Sequence, residues 1–401
     1  MKPTRIHPDR VNSYFDLERL EEPIHVGRPN IGSVERFKSY VDEIFARRWL
    51  SNGGPLVREL ELRIADLLQV NHCIAVCNGT TALEIAIRAL DLQGEVIVPS
   101  YTFIATAHAL QWQGMTPVFA DIDPRTHNLD PDSVRKMITP RTTGIVGVHL
   151  WGRSAPHDEL QAIADEHGLA LMYDAAHAFG CTYKGRPVGA LGRCAVLSFH
   201  ATKFFNTFEG GAIVTNDPVL ADKMSLMRNF GFSGYDNVIH PGTNGKMVEI
   251  CAAMGLVNLD EIDTTIARNR ENYEAYCEHL AGIPGISVLE YDFAESNNFQ
   301  YIVLEIAKDC GLDREALIDA LRRNNVLARK YFWPGCHGMK PYRELYPLAR
   351  FVLPNTEEVA GRVVVLPTGA TLSTKAIAAI CALIRCEVRD AERGVYARER
   401  G

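Results

Sequence analysis

The stretch Cys73–Ser100, CIAVCNGTTALEIAIRALDLQGEVIVPS, predicts a strand, a helix and a second strand in direct succession. The same alternation continues towards residue 203, with further strands predicted in TPVFADID, TTGIVGVHLWG, LALMYDAA and CAVLSFHATK. Strands that alternate with helices build βαβ units, so we predict an α/β fold with a mainly parallel central sheet and helices on both faces. Ligands of such sheets bind beyond the carboxyl ends of the strands, so functional side chains are expected just after each strand.

The sequence predicts three parts. Residues 1–32 are polar and interrupted by prolines, which predicts an N-terminal arm, and residues 33–270 form the large α/β domain. Residues 271–401 form a smaller α+β domain, because YIVLEI predicts a strand and DREALIDALRRNN and STKAIAAICALI predict helices. A long helical region is expected from about Glu249 to Leu280.

Composition excludes several classes of protein. The net charge of -7 over 401 residues leaves no broad basic surface, so nucleic acid is not an expected partner. No apolar run reaches the roughly 20 residues of a membrane helix, and MKPTRIHPDR lacks the apolar core of a signal peptide. The ten cysteines form no CxxC pair and are expected to be reduced thiols of a cytoplasmic enzyme. Cys73 and Cys77 lack a matching His/Cys pair, so no metal is expected.

Two segments carry polar side chains directly after predicted strands. In CNGTTALE, an Asn-Gly turn opens a helix, whose N–H groups and the hydroxyls of Thr80 and Thr81 suit a phosphate. An ordinary threonine cap would give the same pattern. In LALMYDAAHAFG, Asp174 ends an apolar strand and His177 follows three residues later. A helix-capping aspartate with an unrelated histidine is the alternative interpretation.

Lys203 lies among aromatic and small residues in SFHATKFFNTFEGGAIVTND, Ser198–Asp217. Lysine usually keeps its charge in water, so an ordinary surface lysine is one interpretation. A buried lysine instead has a lowered pKa and becomes a nucleophile towards carbonyl groups. A phosphate cradle, a strand-end aspartate and a later lysine match, in that order, what a pyridoxal 5'-phosphate (PLP) enzyme needs: the lysine bonds to the aldehyde and the carboxylate pairs with the pyridinium nitrogen.

The chain resembles the sugar aminotransferases of the DegT/DnrJ/EryC1/StrS group from about Gly27 to beyond Pro367. The matching stretches are LSNGGPLVRELE, NGTTALEIAIRAL, VPSYTFIATAHAL, YDAAHAFG, SFHATK, EGGAIVTND, GTNGKMVEICAAMGL and YFWPGCHGMKPY. The resemblance implies the aspartate-aminotransferase type of fold (fold type I), PLP as cofactor and keto groups of nucleotide-linked sugars as substrates.

The resemblance also implies roles for individual residues. Lys203 would be the Schiff-base lysine, Asp174 would hold the pyridine nitrogen, and His177 would contact the ring edge. The remaining cofactor contacts implied are Phe103, packed on the ring, and Gly79, Thr80, Ser198 and Asn244, at the phosphate. Asn244 would act in the site of the other subunit, which implies a homodimer with shared active sites. The family usually has arginine where Lys246 stands, and lysine keeps the charge but loses the planar fork.

The segments ATKFFNTFEGG and ARKYFWPGCH resemble the branch of the family that aminates C4 of the sugar. This resemblance implies conversion of a dTDP-4-keto-6-deoxyhexose to the dTDP-4-amino-4,6-dideoxyhexose, with L-glutamate as amino donor. The candidate substrate contacts are Tyr331 and Trp49 for the sugar and Arg28, Lys246, Arg329 and Lys330 for the diphosphate. A C3 nucleotide-sugar or inosose aminotransferase and a non-catalytic PLP-binding sensor protein stay open as alternatives.

Overall fold

A computed structural model describes Leu20 and residues 22–394, so residues 1–19 and 21 of the predicted arm lie outside the described residues. The strands are β1 Ile24–His25, β2 His72–Val76, β3 Glu95–Pro99, β4 Thr116–Ala120, β5 Thr142–Val148, β6 Ala170–Asp174, β7 Thr182–Tyr183, β8 Arg186–Pro187, β9 Ala195–Ser198, β10 Gly211–Thr215, β11 Ile286–Val288, β12 Ile302–Ile306, β13 Val326–Leu327 and β14 Val363–Leu366. The α-helices are α1 Val34–Arg47, α2 Pro55–Leu67, α3 Gly79–Ala89, α4 Ile104–Gln111, α5 Pro131–Met137, α6 His157–His167, α7 Pro218–Arg228, α8 Glu249–Asp260, α9 Ile262–Leu280, α10 Arg314–Arg323, α11 Lys340–Leu345, α12 Pro354–Arg362 and α13 Thr374–Glu392.

The central sheet has seven strands in the order β2-β10-β9-β6-β5-β3-β4. Neighbouring strands from β9 to β4 are parallel, whereas β10 is antiparallel to both β2 and β9. Because β10 is antiparallel to both of its neighbours, β2 and β9 point in the same direction, and β6 is parallel to β9. The predicted α/β fold with a mainly parallel sheet is confirmed, and the carboxyl ends of β2, β9 and β6 lie on one edge.

Helices cover both faces of this sheet because its strands are apolar on both sides. Along β3, Val96 and Val98 pack in one core cluster with residues of α3 and α4. The intervening Ile97 packs in a second cluster, together with Leu60 and Ile64 of α2. This alternation between two buried faces explains why the strand reads as a continuous apolar run.

The C-terminal part contains an antiparallel sheet in the order β11-β12-β14. It has its own core cluster, to which α9, α10 and α13 contribute Tyr276, Leu317 and Ile380. The division of the chain at 32 and 270 stays a prediction, and residue 270 lies within α9.

The expected helical region from Glu249 to Leu280 is present. It consists of two helices, α8 and α9, which meet where the backbone at Glu261 leaves the helical conformation (φ -110, ψ 13). Helices α5 and α7 were not anticipated, although each begins with an Asp-Pro pair whose aspartate, Asp130 or Asp217, accepts a hydrogen bond from the first turn. Within Leu20 and residues 22–394, no helix is both long and apolar enough to cross a membrane.

Candidate active site

A cavity of about 620 Å³ lies at the edge where β2, β6 and β9 end. Eight of the residues predicted from the sequence line it together: Gly79, Thr80, Phe103, Asp174, His177, Ser198, Lys203 and Tyr331. Residues separated by up to 252 positions in the chain (79 to 331) are thus gathered around one space. Predicted residues at or just after the ends of β2, β6 and β9 therefore lie together at this edge, and their functions stay predictions.

One end of the cavity is formed by the first turn of α3. The Asn78 side chain caps this helix by accepting a hydrogen bond from the N–H of Thr81 at 2.8 Å. Gly79 is required here because a Cβ would lie 2.9 Å from the Cβ of Ser198. The close approach of α3 to the end of β9 brings the helix N-terminus and two hydroxyls, those of Thr80 and Ser198, to the same end of the cavity. Such an arrangement suits an anion.

Asp174 is a buried carboxylate at the end of β6. Its oxygens accept hydrogen bonds from the N–H of Ala176 at 3.0 Å and from the hydroxyl of Thr106 at 2.8 Å. Burial raises the pKa of Asp174 above its ordinary value, and these two hydrogen bonds and the charge of Lys203 oppose that rise. The carboxylate is therefore oriented by neutral donors while its charge remains available to a cation in the cavity.

The Lys203 amine lies in the same desolvated space. Burial lowers the pKa of Lys203 from 10.5 to about 8, and the attraction of Asp174 opposes this only in part. The amine donates a hydrogen bond to the hydroxyl of Tyr301 at 3.3 Å. A lysine with this pKa is partly uncharged near neutral pH, as a nucleophile or a general base must be.

His177 is a buried, neutral imidazole. Burial, followed by the charge of Lys203, holds the pKa of His177 well below its ordinary value of 6.5. Its Nδ1 accepts a hydrogen bond from the N–H of Trp151 at 3.3 Å, which places the imidazole proton on Nε2. The ring stacks against Phe332, with ring centroids 5.8 Å apart, and lies 4.5 Å from the ring of Tyr301. His177 is thus a fixed donor in the cavity wall.

Aromatic side chains form another wall of the cavity. Phe103 caps the start of α4 and is 56% exposed, so its ring is free to cover a flat ligand. It meets Phe332 edge-to-face at 6.3 Å, and Phe332 stacks on Tyr331 at 5.1 Å. Arg329, in turn, lies 4.9 Å from the ring of Tyr331.

Six of the predicted residues do not line this cavity in the single chain: Arg28, Trp49, Asn244, Lys246, Arg329 and Lys330. Lys246 borders a separate cavity of about 190 Å³ and donates a hydrogen bond to Asn244 at 2.7 Å. Trp49 donates through its indole to the carbonyl of Ser51, and Arg28 is exposed on the surface. The functions assigned to these six residues stay predictions.

The sequence did not predict two further residues of the site: Thr106, which contacts Asp174, and Tyr301, which lines the cavity. Thr106 contacts Asp174 across 68 positions, and Tyr301 contacts Lys203 across 98 positions. Neither residue belongs to a local pattern that predicts its partner. Only the packing of α4 and of the start of β12 against the sheet edge brings them to the site.

Residues 33–385 match the model of the DegT/DnrJ/EryC1/StrS aminotransferase family. The chain belongs to this family. The resemblance predicted from the sequence motifs is thereby confirmed, and the protein is an aminotransferase.

Individual relatives cover nearly the whole chain. The dTDP-4-amino-4,6-dideoxy-D-glucose transaminase of Shigella dysenteriae is 38% identical over 91% of this chain and 99% of its own length. The GDP-perosamine synthase of Caulobacter vibrioides is 38% identical over 82% of this chain and 88% of its own. The crystal structure of DesI in the presence of its TDP-sugar product is 48% identical, with a TM-score of 0.91, and covers 98% of this chain and 99% of that one.

The opposing pKa effects at Lys203 lead to a prediction for the cofactor-free protein. Arylation of Lys203 by trinitrobenzenesulfonate, followed by mass spectrometry of its peptide, should rise with pH around a midpoint of about 8. In Asp174→Asn the midpoint should shift to lower pH, because loss of the carboxylate removes the attraction that favours the ammonium form. Asp91→Asn, which removes a surface carboxylate outside the cavity, is the control and should leave the midpoint in place. A midpoint near 10.5, or one that Asp174→Asn does not move, would contradict this account of the site.

Proposed function

We propose that this chain is a PLP-dependent aminotransferase that converts a dTDP-4-keto-6-deoxyhexose to the dTDP-4-amino-4,6-dideoxyhexose, with L-glutamate as amino donor. The observation that carries the proposal is the desolvated amine of the half-buried Lys203, which shares a cavity with the buried Asp174 carboxylate and a helix N-terminus. The two relatives named as dTDP-4-amino-4,6-dideoxy-D-glucose transaminases support the choice of sugar and of C4.

The residues of the cavity fit PLP. Its volume of about 620 Å³ lies in the range of roughly 300–1,000 Å³ that is typical of small-molecule sites. The phosphate would bind at the N-terminus of α3, with Gly79, Thr80 and Ser198, and the ring nitrogen would pair with Asp174. Phe103 would cover one face of the ring, and His177 would contact its edge. When bound through Lys203, PLP supplies an electron sink that stabilises a carbanion on the reacting substrate.

The chain's own groups perform the proton transfers. The Lys203 amine is close enough to neutral at pH 8 to remove a proton from the carbon of the amino donor that bears nitrogen. In its protonated form it can later deliver a proton to the sugar carbon that is aminated. Asp174 keeps a negative charge where a cationic ring nitrogen needs it, with Thr106 holding the carboxylate in place. His177 donates a hydrogen bond through its Nε2–H and stays neutral, because burial disfavours the imidazolium form.

The names of the relatives differ in the nucleotide attached to the sugar, which is dTDP in some and GDP in others. The GDP-perosamine synthases of Caulobacter vibrioides and Vibrio cholerae match this chain at 38% and 30% identity, so a GDP-linked keto sugar is the second candidate substrate. Tyr331 lines the cavity and is proposed as a contact of the sugar. A cytoplasmic location, Trp49 as a sugar contact, and Arg28 and Lys246 as diphosphate contacts stay predictions.

Product analysis tests this function. The purified protein is incubated with PLP, L-glutamate and dTDP-4-keto-6-deoxyglucose, and the product is examined by mass spectrometry and NMR. We expect a new amine at C4 and a smaller yield from the GDP-linked, 3-keto and inosose substrates run in parallel. Lys203→Ala should lose at least about 10²-fold in turnover, because it removes the general base, and Lys38→Ala, at an exposed position, is the control.

The other outcomes each identify a different error. Amination at C3, or of inosose, would replace the proposed substrate but retain the aminotransferase. Bound PLP whose absorbance glutamate does not change, with no product, would favour the sensor protein instead. A protein that binds no PLP would contradict the proposal as a whole.

We also propose a homodimer in which Asn244 of one subunit serves the site of the other. In support, Asn244 does not line the cavity of its own chain, although it is exposed and carries an amide suited to phosphate. A closed two-fold dimer would place two copies of this residue symmetrically.

Co-expression of two variants tests the shared site. Asn244→Asp should weaken PLP binding, because it places a carboxylate near the phosphate, and Lys203→Ala should be inactive. In a mixed dimer, one site would combine the intact Lys203 of one subunit with the intact Asn244 of the other. With about half of the dimers mixed, roughly a quarter of all sites should be active. If the mixture is no more active than either variant alone, Asn244 does not act across the dimer.

A further inference from the structure

Tyr301 contacts the Lys203 amine and has no role yet in the mechanism. Its hydroxyl accepts a hydrogen bond from Lys203 Nζ at 3.3 Å, and its ring centroid lies 5.9 Å from the same nitrogen. The ring is buried and lies 4.5 Å from the ring of His177 and 5.2 Å from that of Trp151. Tyr301 therefore contacts both the lysine and the histidine of the cavity wall.

The position of Tyr301 is fixed by contacts between the C-terminal part of the chain and the central sheet. The Tyr291 hydroxyl bonds to the carbonyl oxygens of Tyr301 and Trp151, at 3.0 and 2.9 Å. Three residues before Tyr301, the Asn298 amide donates to the carbonyl oxygens of His177 and Phe179 at 2.9 and 3.1 Å. The segment that carries Tyr301 is thus anchored to the loop after β6, which carries His177.

The phenol is suited to hold an amine in either protonation state. Burial, followed by the neighbouring Tyr331, raises the pKa of Tyr301 well above its ordinary value, so the phenol stays protonated. A neutral hydroxyl accepts a hydrogen bond from an ammonium group and donates one to a free amine. Asp174 and His177 also interact with the charge of Lys203, but Asp174 accepts only and His177 is neutral. Tyr301 can therefore keep one contact with Nζ throughout a proton transfer.

We propose that Tyr301 is a positioning residue that holds the Lys203 amine in place whenever that amine is not bonded to the cofactor. The proposal rests on the proposed PLP-dependent function. It predicts that the hydroxyl, rather than the ring, is what Lys203 requires. A nucleophile or base displaced by about 1 Å can lose on the order of 10²-fold in rate, so a single hydrogen bond at Nζ is expected to have a measurable effect.

The test is Tyr301→Phe, which keeps the ring against His177 and Trp151 and removes only the hydroxyl. Cofactor-free protein is mixed with PLP, and the rate at which Lys203 captures the aldehyde is followed by absorbance. We expect capture and kcat to fall about 10-fold or more, while the KM for the sugar and the melting temperature stay near those of the unaltered protein. Crystal structures of both cofactor-free proteins should show Nζ displaced in the variant.

Tyr173→Phe is the matched control. It removes another buried hydroxyl, which bonds to His157 at 2.9 Å and does not line the cavity. Its capture rate should stay within about twofold of the unaltered protein. Equal slowing in both variants, unchanged capture in Tyr301→Phe, or an Nζ that keeps its position without the hydroxyl would each overturn the proposal. If the unaltered protein captures no PLP, the proposed function fails, and the two crystal structures still decide whether Tyr301 positions Lys203.

Discussion

The desolvation of the Lys203 amine in one cavity with the Asp174 carboxylate is the constraint on which the rest of the site depends. Burial of an isolated charge is costly, and each of these groups responds by a pKa shift towards its neutral form. Their mutual attraction opposes both shifts but cancels neither. The amine is therefore reactive near neutral pH, while hydrogen bonds from Thr106 and Ala176 keep the carboxylate oriented for a cationic partner.

The sheet topology creates this pair from residues that are distant in the chain. Strands β6 and β9 are parallel, and Asp174 is paired in register with Val196, two positions before the end of β9. Lys203 follows in a loop in which Phe204 and Phe205 are buried: Phe205 packs against Phe179 and Phe199 at ring distances of 4.6 and 4.9 Å. The apolar surroundings that make Lys203 unusual in the sequence are thus the core that supports its loop.

Local patterns made part of this structure predictable. The strand–helix alternation after Cys73 depends on residues close together in the chain, and it predicted the parallel sheet and the edge at which Gly79, Asp174 and Lys203 meet. The contacts of Thr106 and Tyr301 join segments that are distant in the chain, so no local pattern reveals them. The predicted roles of Arg28, Trp49, Asn244 and Lys246 came from the family resemblance alone, and a single chain does not place them at the cavity.

The central claim is that Lys203 carries the cofactor, and reductive trapping tests it most directly. The protein is incubated with PLP, reduced with borohydride and digested, and the modified lysine is identified by mass spectrometry. The account predicts a stable pyridoxyl adduct on the peptide that contains Lys203, and its absence from Lys203→Ala. An adduct on another lysine, or on none, would contradict it.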